Sequence, residues 1–91
     1  MKVIISIPAW NEEHTLPLVI QEINTVMSTT KYNYKILIVN DGSTDNTTEV
    51  AKKAGAIVVE KRHSGLIDTF KREMIECIRL KADVIVHTDA D

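Results

Sequence analysis

Hydrophobic residues along this chain follow two alternating patterns. Four short runs are apolar almost throughout: Val3-Ile4-Ile5-Ser6-Ile7, Ile36-Leu37-Ile38-Val39, Ala56-Ile57-Val58-Val59 and Val84-Ile85-Val86. Unbroken runs rich in β-branched residues suit strands buried on both faces. Between them, apolar residues recur at helical spacing. Leu16, Val19, Ile20, Ile23, Val26 and Met27 predict a first helix, with Thr15 as N-cap and Pro17 in its first turn. Val50, Ala51 and Ala54 predict a second, started by Asp45 and stopped by Gly55. Ile67, Phe70, Met74, Cys77 and Ile78 predict the core face of a third after Gly65. Lys71, Arg72, Glu73 and Glu76 then form its solvated side. Strands and helices alternating at this spacing imply an α/β domain, β-α-β-α-β-α-β, with a parallel sheet and right-handed crossovers.

That topology points to one edge of the molecule. Ligands of open α/β sheets bind beyond the carboxyl ends of the strands. The polar clusters follow the strands at that edge: Pro8-Ala9-Trp10-Asn11-Glu12, Asn40-Asp41-Gly42-Ser43-Thr44-Asp45, Lys61-Arg62-His63 and Thr88-Asp89-Ala90-Asp91. Asp89 and Asp91, two carboxylates at i and i+2, can reach one hard cation such as Mg²⁺ or Mn²⁺. A solvated acidic turn explains an isolated Asp-x-Asp equally well. A capping role accounts for Asp45 but leaves Asp41 unexplained. Trp10, the only tryptophan, could flank a planar ligand or cover the edge of the core. Glu12 could bind a ligand hydroxyl or favour the start of the first helix. Lys61, Arg62 and His63 could meet phosphates, or form a solvated basic loop. His63 and His87 have no partner identifiable from sequence.

Composition narrows the function. The chain has 91 residues, enough for one domain, 1–91. It is 44% hydrophobic, which supports a single core. Eleven basic and thirteen acidic residues give a net charge of −2 with the signs interspersed, which argues against a nucleic-acid partner. The single cysteine, Cys77, can form neither an internal disulfide nor a zinc site. No apolar run approaches the ~20 residues that span a bilayer. The N-terminus lacks the pattern of a cleavable signal, so a cytoplasmic location is expected.

Taken together, Ile-Pro-Ala-Trp-Asn-Glu-Glu, Ile-Val-Asn-Asp-Gly-Ser-Thr-Asp-Asn-Thr, Ala-Lys-Lys-Ala-Gly-Ala and Ala-Asp-Val-Ile-Val-His-Thr-Asp-Ala-Asp resemble the N-terminal half of a family 2 glycosyltransferase. The dolichol-phosphate mannose synthase-like enzymes are among the relatives so indicated. The resemblance spans essentially the whole chain, and four motifs in order are specific where each alone is weak. It implies the GT-A fold, here a Rossmann-like, three-layer α/β/α half-domain with strand order 3-2-1-4. It implies a nucleotide-sugar donor, UDP- or GDP-linked, and a divalent cation, Mg²⁺ or Mn²⁺. By position, Pro8, Ala9, Trp10 and Glu12 would line the nucleoside pocket. Val39 and Asp41 would contact the base, Asp89 and Ala90 would lie along the nucleotide-sugar, and Asp89 and Asp91 would hold the metal. Trp10 stands where the family usually has tyrosine, Asn40 where a first aspartate is frequent, and Glu73 where many members have glycine.

Family catalytic domains continue well past the Asp-x-Asp motif, where the acceptor site and the general base are expected. The 91 residues therefore read as a donor-binding half-domain, inactive alone. A longer parent could associate with the cytoplasmic face of a membrane. If the structure expected after the fourth strand is missing, Val84-Ile85-Val86 would lie near an uncovered edge or face, which invites self-association. Three other readings compete. A nucleotidyltransferase should have a glycine- and basic-rich first loop, whereas this one reads Pro-Ala-Trp-Asn-Glu-Glu. A phosphoacceptor receiver domain should have an acidic pair at the first strand and a fifth strand with a lysine. A fold fragment without a ligand is the third.

Overall fold

The computed structural model describes residues 1–90. Four parallel strands, β1 (Lys2–Ala9), β2 (Asn33–Asp41), β3 (Ile57–Lys61) and β4 (Val84–His87), alternate with helices α1 (Leu16–Met27), α2 (Thr47–Lys53) and α3 (Leu66–Arg79). The strand order is β3-β2-β1-β4, as expected.

Side chains of β1 alternate between two layers, as strand geometry requires. Val3, Ile5, Ile7 and Ala9 pack with Ile36 and Ile38 of β2 against Leu16 and Ile20 of α1 and Ala51 of α2. Ile4 packs with Leu37 and Val39 against Cys77 of α3. The arrangement is a three-layer sandwich, with α1 and α2 on one face and α3 on the other. Ile4, Ile7, Leu16, Ile20, Leu37 and Ile38 are fully buried. Each such side chain contributes about 1.5–3 kcal/mol of burial. The two central strands therefore carry most of the apolar stabilisation.

The helix starts depart from the sequence expectation in detail. Thr15 precedes α1 but makes no capping bond. Its hydroxyl donates instead to Glu12 Oε2 at 2.7 Å. Asp45 does serve α2: its Oδ1 accepts from the Thr47 amide at 2.9 Å, although Asn46 is the residue flanking the helix.

Two expectations are overturned. β4 is not buried on both faces; Val84, Ile85 and Val86 are all exposed at the sheet edge. The core face of α3 is also different. Ile67 and Ile78 are 74% and 73% exposed and Phe70 is exposed, whereas Glu73 and Glu76 are buried. Thr69, Glu73 and Cys77, spaced i, i+4 and i+8, face the sheet. The inward Glu73 has a partner in β1. Ser6 sits in an otherwise apolar strand with its hydroxyl on the α3 side, and a buried hydroxyl needs a partner. Glu73 supplies it.

Candidate functional site

The carboxyl ends of the strands open into a cavity of about 370 Å³. Pro8, Ala9, Trp10 and Glu12 line it from the β1 end, Asp41 from β2, and Asp89 and Ala90 from the segment after β4. His63, Gly65, Leu66 and Thr69 complete it from the β3–α3 side. Val39 is not there. Its side chain is fully buried in the core against α3, so any approach of a ligand to that position is limited to its backbone. Asp91 lies outside the described residues.

The loops after β1 and β2 are zipped together. Asn11, at a left-handed φ of 54°, donates its amide to Ser43 Oγ at 2.9 Å and accepts the Thr44 amide on Oδ1 at 2.8 Å. The Glu12 amide donates to Thr47 Oγ1 at 3.0 Å, and the Glu13 amide to Asp45 Oδ2 at 3.3 Å. These cross-loop bonds fix the ground on which Trp10 and Glu12 stand. Asn40 is buried and acts on the opposite face from Asp41. Its Nδ2 donates to Thr48 Oγ1 at 2.6 Å, and that hydroxyl donates to Glu60 Oε1 at 2.8 Å. An aspartate at this position could not make the first of those bonds, since an ionised carboxylate only accepts.

Asp41 is the electrostatic centre of the site. The register places it opposite Lys61 on the neighbouring strand, and paired residues of parallel strands project to one face. Lys61 Nζ bonds Asp41 Oδ1, both groups nearly buried. The Ser64 amide donates to the same oxygen at 3.0 Å and the Gly65 amide to Oδ2 at 3.1 Å. Burial alone would raise the Asp41 pKa. The Lys61 ammonium and the two amides outweigh it and hold the carboxyl below the ordinary range. So the residue that no cap explained in the sequence ties the β3–α3 loop to β2.

Lys61 is therefore committed to Asp41 and to the Arg62 carbonyl and Ser64 hydroxyl, not offered to a phosphate. His63 has two partners that sequence reasoning did not find. Its ring stacks on Trp10, with centroids 5.0 Å apart and planes at 28°. Its Nδ1 lies 2.9 Å from the Asp41 carbonyl and 3.0 Å from Asp41 Oδ2. Trp10 is 49% exposed, so it covers the site and not the core.

A second cluster lies deeper, between β1, β4 and α3. Ser6 pairs with His87 in the sheet register, and both side chains meet Glu73. The Ser6 hydroxyl donates to Glu73 Oε1, and His87 Nδ1 lies 3.1 Å from that oxygen. Glu73 Oε2 has no partner among the described residues. Burial pushes the Glu73 carboxyl up, only partly offset by Ser6 and His87. The signal that could have revealed this cluster is Ser6 itself, a lone hydroxyl inside a buried strand.

Among the described residues no three His, Cys, Asp or Glu side chains converge as a protein-built metal cage. Asp89 is exposed at the mouth of the cavity. It fits the other mode, in which one or two carboxylates share a Mg²⁺ or Mn²⁺ with substrate phosphates and waters.

Residues 4–91 match the glycosyl transferase family 2 model. The chain belongs to this family.

Among curated relatives, undecaprenyl-phosphate 4-deoxy-4-formamido-L-arabinose transferase of Yersinia pestis (strain Pestoides F) is 31% identical over 101 residues, covering 99% of this chain and 29% of the relative. The enzyme of the same name from Aeromonas hydrophila subsp. hydrophila is 26% identical, covering 93% of the chain and 27% of the relative. Among solved structures, mannosyl-3-phosphoglycerate synthase from Rubrobacter xylanophilus superposes with a TM-score of 0.88 at 25% identity, over 100% of this chain and 31% of that one. Glucosyl-3-phosphoglycerate synthase from Mycobacterium tuberculosis, crystallised with Mn²⁺, UDP and glucosyl-3-phosphoglycerate, gives 0.79 at 25% identity, over 99% and 33%. The α/β half-sheet is thus the GT-A arrangement of the family's solved members, and this family 2 chain spans about a third or less of the relatives it matches. No helix among the described residues is long and apolar enough to cross a membrane.

Proposed function

We propose that these 91 residues form the donor half of a glycosyltransferase, binding a nucleoside-diphosphate sugar together with Mg²⁺ or Mn²⁺. The observation that carries this reading is the convergence of Trp10, Glu12, Asp41 and Asp89 on one cavity at the carboxyl edge of the sheet. Trp10 offers a face for a nucleobase, and Asp41 offers a carboxylate for its N–H edge. Glu12 is placed for a ribose hydroxyl. Asp89, with Asp91 next but one in sequence, would hold the cation against the diphosphate. The cation supplies Lewis-acid relief of the charge that develops on a departing nucleoside diphosphate.

UDP is the favoured nucleotide, because the M. tuberculosis neighbour was crystallised with UDP and Mn²⁺. GDP is the second candidate. In a family 2 transferase, displacement at the anomeric carbon needs a base to take the acceptor's proton where the acceptor is a hydroxyl, whereas a phosphate acceptor is already ionised at neutral pH. Among the described residues, the cavity carboxylates Glu12, Asp41 and Asp89 are each assigned to the nucleotide or its cation, and the one histidine, His63, stacks on Trp10. We therefore propose that the 91-residue chain by itself binds donor without transferring sugar.

Calorimetric titration with UDP and then GDP, with and without Mg²⁺, tests the reading. Metal-dependent binding of either supports it and selects the base. Absence of binding to both at millimolar nucleotide, in a folded chain, overturns it in favour of a fold without a ligand. Sugar transfer by the isolated chain would overturn only the claim of inactivity.

A further inference from the structure

The donor-site reading leaves one question open in the geometry, namely how a nucleobase gains access to Asp41. An ionised carboxylate has about four acceptor positions. Here three donors hold it, Lys61 Nζ and the Ser64 amide on Oδ1 and the Gly65 amide on Oδ2, while His63 Nδ1, bonded to the Asp41 carbonyl, stands 3.0 Å from Oδ2 and covers the remaining position. No position is left for the N–H of a base. The three donors are hard to remove. Two are backbone amides at the start of α3, and the third is an ammonium only 10% exposed. His63 is different, because its side chain is 55% exposed and reaches Asp41 from the open side.

What His63 does there resembles what a base would do. Both oxygens facing Nδ1 are acceptors, so Nδ1 carries the hydrogen. A flat heteroaromatic ring thus stacks on Trp10 while donating a ring N–H to the Asp41 carbonyl, its Nδ1 3.0 Å from the carboxylate Oδ2. Gly42 makes room for it. At a φ of +72° it lacks the Cβ that would stand 2.6 Å from the His63 backbone nitrogen and 2.9 Å from its Cβ.

We propose that His63 is a built-in stand-in for the nucleobase, occupying the base position in the unliganded protein and leaving it when nucleotide binds. The proposal rests on the donor-site reading and deepens it. His63 then sets the affinity and the selectivity of the pocket. A base enters only if stacking on Trp10 and bonding to Asp41 exceed what the imidazole already makes there. When the competent state is a fraction of the whole, the observed dissociation constant is the intrinsic one divided by that fraction. Removing the imidazole therefore tightens binding, whereas removing a wall of the pocket would weaken it. The sign separates the two roles.

The test uses the 91-residue chain with UDP and GDP in saturating Mg²⁺. In the free protein the His63 ring protons resonate upfield, shielded by the Trp10 ring. On adding nucleotide they move to the positions of an unstacked imidazole. His63→Ala binds at least threefold tighter than the parent chain, and Trp10→Ala at least fivefold weaker. If His63→Ala binds equally or more weakly and the ring protons of the parent stay upfield in the complex, His63 is a fixed wall. The proposal then fails while the donor site stands. If neither the parent chain nor His63→Ala binds either nucleotide, the donor-site reading fails and the proposal with it. The ring-proton shifts come from the unaltered chain, so a misfolded variant does not blunt the test.

Discussion

The hydroxyl of Ser6 donates to the fully buried carboxylate of Glu73, whose second oxygen has no partner among the described residues. This pair joins the middle of β1 to the middle of α3. It makes the α3 layer polar at the level just beneath the cavity. The same carboxylate meets His87, two residues before Asp89 in the segment that lines the site.

An unpartnered buried oxygen costs about 1–3 kcal/mol. Burial also raises the Glu73 pKa, which sets a sign. A group with a raised folded pKa adds stability below its unfolded pKa, ~4.3 for glutamate. That contribution disappears as pH rises through the folded value. Wild-type stability therefore declines through this range as pH climbs toward neutral. Glu73→Gln lacks the decline and exceeds the wild type at pH 8 by about 1 kcal/mol or more. Urea unfolding at pH 5 and pH 8 measures it. Parallel changes in the two proteins would show that Glu73 does not drive the slope.

Asp41 has the opposite sign. Its folded pKa is held down by Lys61 and the Ser64 and Gly65 amides, against the pull of burial. It contributes stability above its unfolded pKa, ~3.9, and loses it as pH falls through the folded value. Asp41→Asn removes that acid-side loss. At neutral pH it leaves the nearly buried Lys61 ammonium unpaired, which costs about 3 kcal/mol or more. Circular dichroism followed from pH 7 to pH 2 checks the first expectation, and urea unfolding at pH 7 the second. A neutral-pH stability equal to wild type would mean that Lys61 relaxes into water.

Asp89 is exposed, so its removal should spare the fold. Asp89→Ala keeps the wild-type melting temperature. It abolishes the gain in UDP affinity on adding Mg²⁺, at least tenfold in the wild type, about 1.4 kcal/mol. Calorimetry with and without the metal decides. A gain that survives in Asp89→Ala would place the cation elsewhere.

β4 leaves an apolar edge without a neighbouring strand, with Val84, Ile85 and Val86 all exposed. Such an edge templates pairing with another chain. Sedimentation equilibrium of the 91-residue chain should show dimer growing with concentration. Ile85→Lys should return it to monomer. A concentration-independent wild-type monomer would refute this.

Much of this protein was legible in order along the chain. Alternating strand-like and helix-like runs dictated seven elements and a parallel sheet, because each period reports a local geometry. The polar residues after each strand pointed to the candidate site, because parallel strands all end at one edge. Pro8, Ala9, Trp10, Glu12, Asp41, Asp89 and Ala90 do line one cavity. Tertiary structure alone decided which of their neighbours they touch. Lys61 reaches Asp41 across 20 residues of sequence, and Glu73 reaches Ser6 across 67. Both contacts are consequences of strand register and helix rotation, which no local pattern encodes. The face of α3 shows why. Its apolar stripe predicted one orientation, but a single buried hydroxyl on β1 needed a partner. Glu73 faces inward and meets it, while Ile67 and Ile78 lie in solvent.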